Sequence, residues 1–69
     1  MEYVRNDLQK LRNSADITQQ HLADKMGVSR QTIIAIEKGN YAPSVLLALK
    51  IARFFKKPVE ELFHIAHER

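Results

Sequence analysis

The residues best suited to recognition chemistry are Arg30 and Gln31, which follow Ser29 directly. A guanidinium can donate two hydrogen bonds to guanine O6 and N7, and a carboxamide can bridge adenine N6 and N7. Side chains of this kind at the start of a helix are typical of proteins that read base edges in the major groove. We therefore take both as the leading base readers, with a phosphate contact as the alternative for Arg30.

Two apolar residues, Ile34 and Ala35, would extend this patch on the same outward face of the helix. The spacing i, i+1, i+4, i+5 from Arg30 places all four residues on one side. Ile34 and Ala35 are predicted to contact thymine methyl groups. The alternatives are an apolar surface that does not touch DNA and a contact with another protein.

The segment Gln19–Ile36 contains the elements that must position this patch. Ala23 occupies a place where two helices can cross closely, and Gly27 supplies the positive φ that lets the chain reverse between them. Apolar residues recur at the spacing that buries one side of each helix: Leu22, Met26, Val28, Ile33 and Ile36. Seven features in register over eighteen residues predict a helix-turn-helix over residues 19–38.

Residues suited to begin a helix recur along the chain at Asn6, Thr18, Ser29, Ser44 and Pro58. The first helix should reach about Ser14, the fourth should run from Val45 to about Phe55, and the fifth should extend through Phe63. Short connections between such helices predict a compact all-α bundle of five helices, in one domain that spans residues 1–69. The chain ends, Tyr3-Val4 and Leu62–Ile65, have strand-like character and could pair as a small β element.

Composition restricts the possible classes of protein. The 69 residues include no cysteine, so disulfides and thiolate metal sites are impossible, which fits a reducing cytoplasm. No apolar run approaches the ~20 residues of a membrane span, and Met1–Asn6 lacks the apolar region of a signal peptide. The net charge of +3 suits a polyanion, but it equally suits an ordinary basic surface. We expect a cytoplasmic protein without membrane contact.

The histidines and carboxylates do not form an arrangement typical of an enzyme. His64 and His67 are spaced i, i+3, but two histidines without a third ligand make a poor metal site, so a solvated C-terminus is the better interpretation. His21 is expected on the surface of the second helix. The sequence predicts no catalytic residue, no metal, no cofactor and no evident small-molecule ligand.

From Leu8 to about Phe63, these motifs resemble the Cro/repressor-type (XRE) helix-turn-helix family, including its short stand-alone bacterial and phage regulators. The resemblance covers about four-fifths of the chain. It implies a five-helix domain of the phage repressor type that binds palindromic operators as a dimer and regulates transcription. Gln31 matches a base-reading position that is often Gln in similar proteins. Ile34 and Ala35 depart from many relatives, in which one of these positions carries a polar reader.

The resemblance also indicates which residues hold the DNA backbone. Gln19 matches a Gln that bonds a phosphate with help from the helix N-terminal amides. Thr18 and Ser29 are expected first as helix caps and second as phosphate contacts, and Thr32 could reach a phosphate or a base. The loop after the recognition helix resembles phosphate-touching loops, with ordinary surface as the alternative, at Lys38, Asn40 and Tyr41.

Glu37 is predicted to form a structural ion pair with Arg12. Glu37 lies on the same helical face as Ile33, so it points inward, where a carboxylate needs a partner. Arg12 stands at the end of the first helix, and similar repressors pair these two positions.

The fourth helix is apolar on nearly all sides, so more than one of its sides must be covered from solvent. One possible cover is the fifth helix with the chain ends. The other is a second copy of the chain, with Phe54, Phe63 and Ile65 as the expected dimer interface. One short helix reads DNA weakly, so we predict a homodimer with half-sites one helical turn apart.

The sequence as a whole predicts a sequence-specific regulator of transcription that binds double-stranded DNA, with repression as the first choice. Two alternatives remain at this stage. The protein could be an antitoxin that binds both DNA and a toxin, or a module that binds only other proteins.

Overall fold

The computed structural model describes residues 1–67, which form five helices and one two-stranded antiparallel sheet. Their order is β1 (Glu2–Asn6), α1 (Leu8–Ser14), α2 (Gln19–Met26), α3 (Arg30–Glu37), α4 (Val45–Phe55), α5 (Val59–Leu62) and β2 (Phe63–His67). The predicted five-helix arrangement is confirmed. The small β element that the sequence allows at the chain ends is also present, so the all-α class holds for the helical bundle but not for the two ends.

Side-chain caps set the starts of three helices where the sequence predicts them. The hydroxyls of Thr18, Ser29 and Ser44 each accept a hydrogen bond from the backbone amide three residues later. Each cap satisfies one of the four amides that the first turn of a helix leaves unpaired. Gly27 ends α2 with φ 72°, in the left-handed region that a side chain disfavours.

Both ends of the bundle differ slightly from the sequence-based boundaries. Asp7 occupies the N-cap position of α1, whereas the Asn6 carboxamide accepts the hydrogen bond from Leu8 N at 3.1 Å. The helix that begins after Pro58 ends at Leu62, so the prediction that it includes Phe63 is wrong. Phe63 has extended backbone and pairs with Asn6, because β1 offers it a strand partner.

The core joins all five helices through six fully buried aliphatic side chains: Leu8, Leu22, Ile33, Ile36, Ile51 and Leu62. Burial of each contributes roughly 1.5–3 kcal/mol relative to exposure in water. Ala23 is also fully buried, as expected for a small residue where helices cross closely. This core fixes α2 and α3 relative to each other and to α4.

We call the two-stranded sheet the ribbon (β1 and β2). Its register places Val4 opposite Ile65 and Glu2 opposite His67. The Ile65 side chain is largely exposed, so one apolar part of the ribbon has no cover within the described chain. No helix in residues 1–67 has the length and apolar character needed to cross a membrane.

Candidate nucleic-acid interface

The α3 helix has an inner and an outer side, as its residue pattern predicts. Ile33 and Ile36 are fully buried, and Arg30 and Gln31 are exposed at its N-terminal end. Ser29 caps this end, since its Oγ accepts from Thr32 N at 3.2 Å. The two predicted base readers therefore project from the capped start of a helix whose opposite side is held in the core.

Ile34 and Ala35 are less exposed than the sequence pattern suggests. Both side chains are half-buried. Just beyond them, Asn40 N donates to Ala35 O at 2.9 Å and Gly39 N donates to Ile36 O at 3.0 Å, which closes the C-terminal end of α3. Ile34 and Ala35 therefore present less side-chain surface to a ligand than the exposed Gln31 does.

The first turns of α2 and α3 contain hydroxyls that are engaged in local bonds. Thr18 Oγ1 accepts from His21 N at 3.0 Å. Ser29 Oγ lies 3.0 Å from Thr32 Oγ1 in addition to its cap bond. These contacts fit the role as caps that was expected first for Thr18 and Ser29.

Arg12 and Glu37 lie together in a largely buried ion pair. Arg12 Nε donates to Glu37 Oε2 at 2.7 Å, and its Nη2 donates to Oε1 at 3.2 Å. The side chains are 10% and 3% exposed. Arg12 Nη1 also donates to Ile17 O at 2.8 Å, so the guanidinium joins α1, the connection to α2 and the end of α3. Two-point contact of this kind gives the pair a defined geometry.

Gln19 is a third member of this cluster that the sequence reasoning missed. Its Nε2 donates to Glu37 Oε1 at 3.0 Å, from the first turn of α2 to the last of α3. The same side chain was predicted to contact a phosphate. The spacing of Gln19 and Glu37 by 18 residues carries no local signal that could reveal this contact.

Two further contacts hold the helix-turn-helix and were also missed. Lys50 Nζ donates to Met26 O at 2.8 Å, at the C-terminus of α2, where a cation is favourable. Asn6 Nδ2 donates to Ile36 O at 2.8 Å, at the C-terminal end of α3. Both acceptors are backbone carbonyls, which every residue type has, so the sequence gives no sign of either contact.

The segment from the end of α2 to the start of α5 has a net positive charge. Lys38, Asn40 and Tyr41 are exposed in the loop after α3. Residues 26–59 contain six Lys or Arg and a single carboxylate, Glu37, whose charge Arg12 balances. A net positive charge attracts phosphates over distances of about 8–10 Å at moderate ionic strength.

The residues expected at a dimer interface are unequally exposed. Phe54 and Phe63 are half-buried against the core, and the Phe54 ring meets Phe55 edge to face at 5.1 Å between centroids. Ile65 is 72% exposed on the ribbon. Exposed apolar residues that the sequence reasoning did not single out lie on α4, at Val45, Leu46 and Leu49.

The histidines near the C-terminus lie beside carboxylates. His64 Nε2 is 3.1 Å from Asp7 Oδ2, and His67 Nε2 is 3.6 Å from Glu2 Oε2. Within residues 1–67, His, Asp and Glu side chains do not gather in any group of three that could hold a metal ion.

The helix-turn-helix family model matches residues 8–62. The chain belongs to the helix-turn-helix family. Because the match includes all five helices, it confirms the family resemblance expected from the sequence.

Two relatives support this assignment for the helix-turn-helix protein. An uncharacterized HTH-type transcriptional regulator of Methanocaldococcus jannaschii is 55% identical over 60 residues, which cover 87% of this chain and 91% of the relative. The cryptic phage CTXphi transcriptional repressor RstR of Vibrio cholerae is 34% identical over 55 residues, which cover 80% of this chain and 50% of the relative.

Two solved structures resemble the helix-turn-helix protein. A protein from Bacteroides fragilis superimposes with a TM-score of 0.79 over 93% of this chain and 100% of its own, at 23% identity, which shows the shared fold. The restriction-modification controller protein C.AhdI from Aeromonas hydrophila gives a TM-score of 0.71 at 28% identity, over 78% of this chain and 82% of its own. The protein is thus a DNA-binding regulator of transcription and not an enzyme.

Proposed function

We propose that this protein is a sequence-specific repressor that binds a pseudo-palindromic operator as a homodimer. The observation that carries the proposal is the exposed pair Arg30 and Gln31 at the capped start of α3. These side chains can read guanine and adenine edges in the major groove by two-point hydrogen bonds. The relatives come from an archaeon and a bacterium, whose DNA lies in the cytoplasm, so we place the protein there as well.

Contacts to the DNA backbone would set the register of α3 in the groove. Amides at the starts of α2 and α3 favour a phosphate, because the positive end of the helix dipole lies there. The side chains that we assign to the backbone surround these starts and the loop after α3: Thr18, Gln19, Ser29, Thr32, Lys38, Asn40 and Tyr41. Ile34 and Ala35 would add contacts to thymine methyl groups beside the two hydrogen-bonding readers.

Repression is the direction of regulation that we assign. The phage relative is named a transcriptional repressor, and 80% of this chain aligns with it. A small domain that occupies an operator can block transcription by its presence alone.

The homodimer is supported by an apolar surface that the described chain leaves open. A groove of about 250 Å³ runs between the ribbon and α4, and Val4, Val45, Leu49, Val59 and Phe63 are among its lining residues. Ile65 extends the apolar area along a neighbouring hollow that Val4, Val59 and Phe63 also line. Contiguous exposed apolar surface of this kind is typical of interaction sites. Two copies that share this surface would present two α3 helices to successive major grooves.

Selection of bound sequences from a random DNA pool tests the recognition proposal. We expect a pseudo-palindromic consensus with half-site centres about 10 bp apart. Absence of any consensus, together with binding that does not depend on salt, would overturn it.

Sedimentation equilibrium at micromolar concentration tests the dimer. We expect the natural chain to sediment as a dimer and Leu49→Glu to sediment as a monomer, because the charge would lie in the shared groove. Leu46→Glu is the matched control, since Leu46 is an exposed leucine of the same helix that lies outside this groove. A monomeric natural chain, or a dimer that tolerates Leu49→Glu, would refute this interface.

A further inference from the structure

Asn6 stands where the ribbon, α1 and α3 meet. It is the last residue of β1 and pairs with Phe63 of β2. Its Oδ1 accepts from Leu8 N at 3.1 Å, and its Nδ2 donates to Ile36 O at 2.8 Å. One carboxamide therefore connects the ribbon to the start of α1 and to the end of α3.

The two hydrogen bonds fix the identity of this side chain as well as its orientation. Leu8 N can only donate and Ile36 O can only accept, so Oδ1 must face α1 and Nδ2 must face α3. A carboxylate could accept from Leu8 but has no hydrogen to give to Ile36. A serine hydroxyl is too short to reach both partners. Asparagine is the side chain that satisfies both with this backbone.

The acceptor on α3 lies where that helix ends. Ile36 O is among the last four carbonyls, which have no partner within the helix, and Gly39 N donates to it at 3.0 Å. A cleft of about 310 Å³, lined by β1, Lys38 and Gly39, separates the ribbon from the end of α3 beside this bond. The Asn6 carboxamide spans the two elements at the edge of this cleft.

The distance along α3 makes this anchor relevant to base reading. Arg30 lies six residues before Ile36, which is about 9 Å along the helix axis. A tilt of about 10° around the anchored end would therefore move the Arg30 backbone by roughly 1.5 Å. Recognition groups need placement within about 0.5 Å and 10–20° to bind productively.

We propose that Asn6 is a positioning residue for base reading. It holds the end of α3 to the ribbon and so sets the angle at which α3 presents Arg30 and Gln31. The inference rests on the proposed function. It gives the ribbon a part in sequence discrimination through Asn6, which we do not expect to touch DNA.

The test compares Asn6→Ser and Asn6→Asp with the natural chain, and uses Asn13→Ser as the matched control. Both Asn6 variants keep an acceptor for Leu8 N and lose the donor to Ile36 O, and Asn13 is an exposed asparagine of α1. The readout is the ratio of Kd values for the selected operator and for an unrelated duplex of equal length, at one salt concentration. This ratio is independent of the folded fraction, because unfolded protein weakens both complexes equally.

We expect both Asn6 variants to lose about 2- to 10-fold in affinity for the operator, the range that corresponds to one net hydrogen bond. Affinity for the unrelated duplex should stay within about twofold, since phosphate contacts supply it. Asn13→Ser should bind both duplexes as the natural chain does. Equal losses on both duplexes, or an unchanged ratio, would refute the positioning role. Failure of the natural chain to select any consensus would instead refute the proposed function.

Discussion

The Gln19 carboxamide donates a hydrogen bond to the Glu37 carboxylate across 3.0 Å and joins the first residue of α2 to the last residue of α3. A carboxamide nitrogen carries two hydrogens, so one N–H can hold Glu37 while the other faces a phosphate. Because Arg12 also holds Glu37, through both carboxylate oxygens, the ion pair would also orient the proposed phosphate donor. The buried cluster would therefore both stabilise the fold and orient the proposed contact with the DNA backbone.

The first prediction concerns the charge of this cluster. Glu37→Gln should lower the free energy of unfolding by about 3–5 kcal/mol, because it leaves the Arg12 guanidinium largely buried without a counter-charge. Urea denaturation followed by circular dichroism measures the change. Glu61→Gln removes the same charge from an exposed site on α5 and should leave the midpoint almost unchanged. A Glu37→Gln protein that unfolds at the natural midpoint would contradict a stabilising role for the pair.

The second prediction separates base reading from backbone anchoring at Gln31. Gln31→Ala should relax the preference at one position in each half-site and cost about 1–3 kcal/mol on the preferred sequence. Repeated selection from a random pool, with Kd values for single-base variants, measures both effects. Gln9→Ala changes an exposed glutamine of α1 and should keep the full consensus. Equal weakening on every sequence would identify Gln31 as a phosphate contact instead.

The third prediction concerns the salt dependence of binding. If the proposed backbone contacts form, log Kd against log salt should have a slope steeper than about 3 in magnitude, since each neutralised phosphate contributes roughly 0.9. Lys38→Gln should reduce the magnitude by about 0.9, because it removes one such contact. Lys10→Gln, on the exposed side of α1, should leave the slope unchanged. A shallow slope for the natural chain would argue against extensive phosphate contact.

Local chemistry explains why the sequence predicts the helix-turn-helix well. The caps at Thr18, Ser29 and Ser44 act on amides three residues away, so residue type and spacing reveal them. Gly27 likewise indicates a left-handed turn, because glycine adopts a positive φ more readily than other residues. The pairing of Arg12 with Glu37 needed family resemblance as well, because 25 residues separate the two.

The parts that the sequence predicts poorly depend on tertiary contacts. Phe63 suits a helix or a strand equally, and its pairing with Asn6 across the fold decides for the strand. Ile34 follows the outward spacing of α3, yet its side chain is half-buried, which helical spacing alone does not predict. The acceptor of the Lys50 ammonium is a backbone carbonyl 24 residues away, which any residue type could supply.

The fourth prediction tests thymine contact by Ile34. Replacing the facing thymine with deoxyuridine should weaken binding about fourfold, because one buried methyl group contributes about 0.8 kcal/mol. The same replacement should have no effect on binding by Ile34→Ala, whose side chain is too short for the contact. Fluorescence anisotropy with the two duplexes measures all four combinations. A similar loss with both proteins would assign the effect to DNA shape.

The fifth prediction concerns Lys50, which holds the end of α2 at the turn into α3. Lys50→Met keeps the aliphatic length but removes the ammonium that donates to Met26 O, so one helix-terminal carbonyl loses its partner. We expect the free energy of unfolding to fall by about 1 kcal/mol, which corresponds to a Tm roughly 4–8 °C lower in a domain of this size. Thermal unfolding by circular dichroism measures the shift, and Lys10→Met on the exposed side of α1 is the matched control. Equal Tm values for Lys50→Met and the natural chain would contradict a stabilising role for this bond and would mean that solvent replaces the ammonium at Met26 O at no cost.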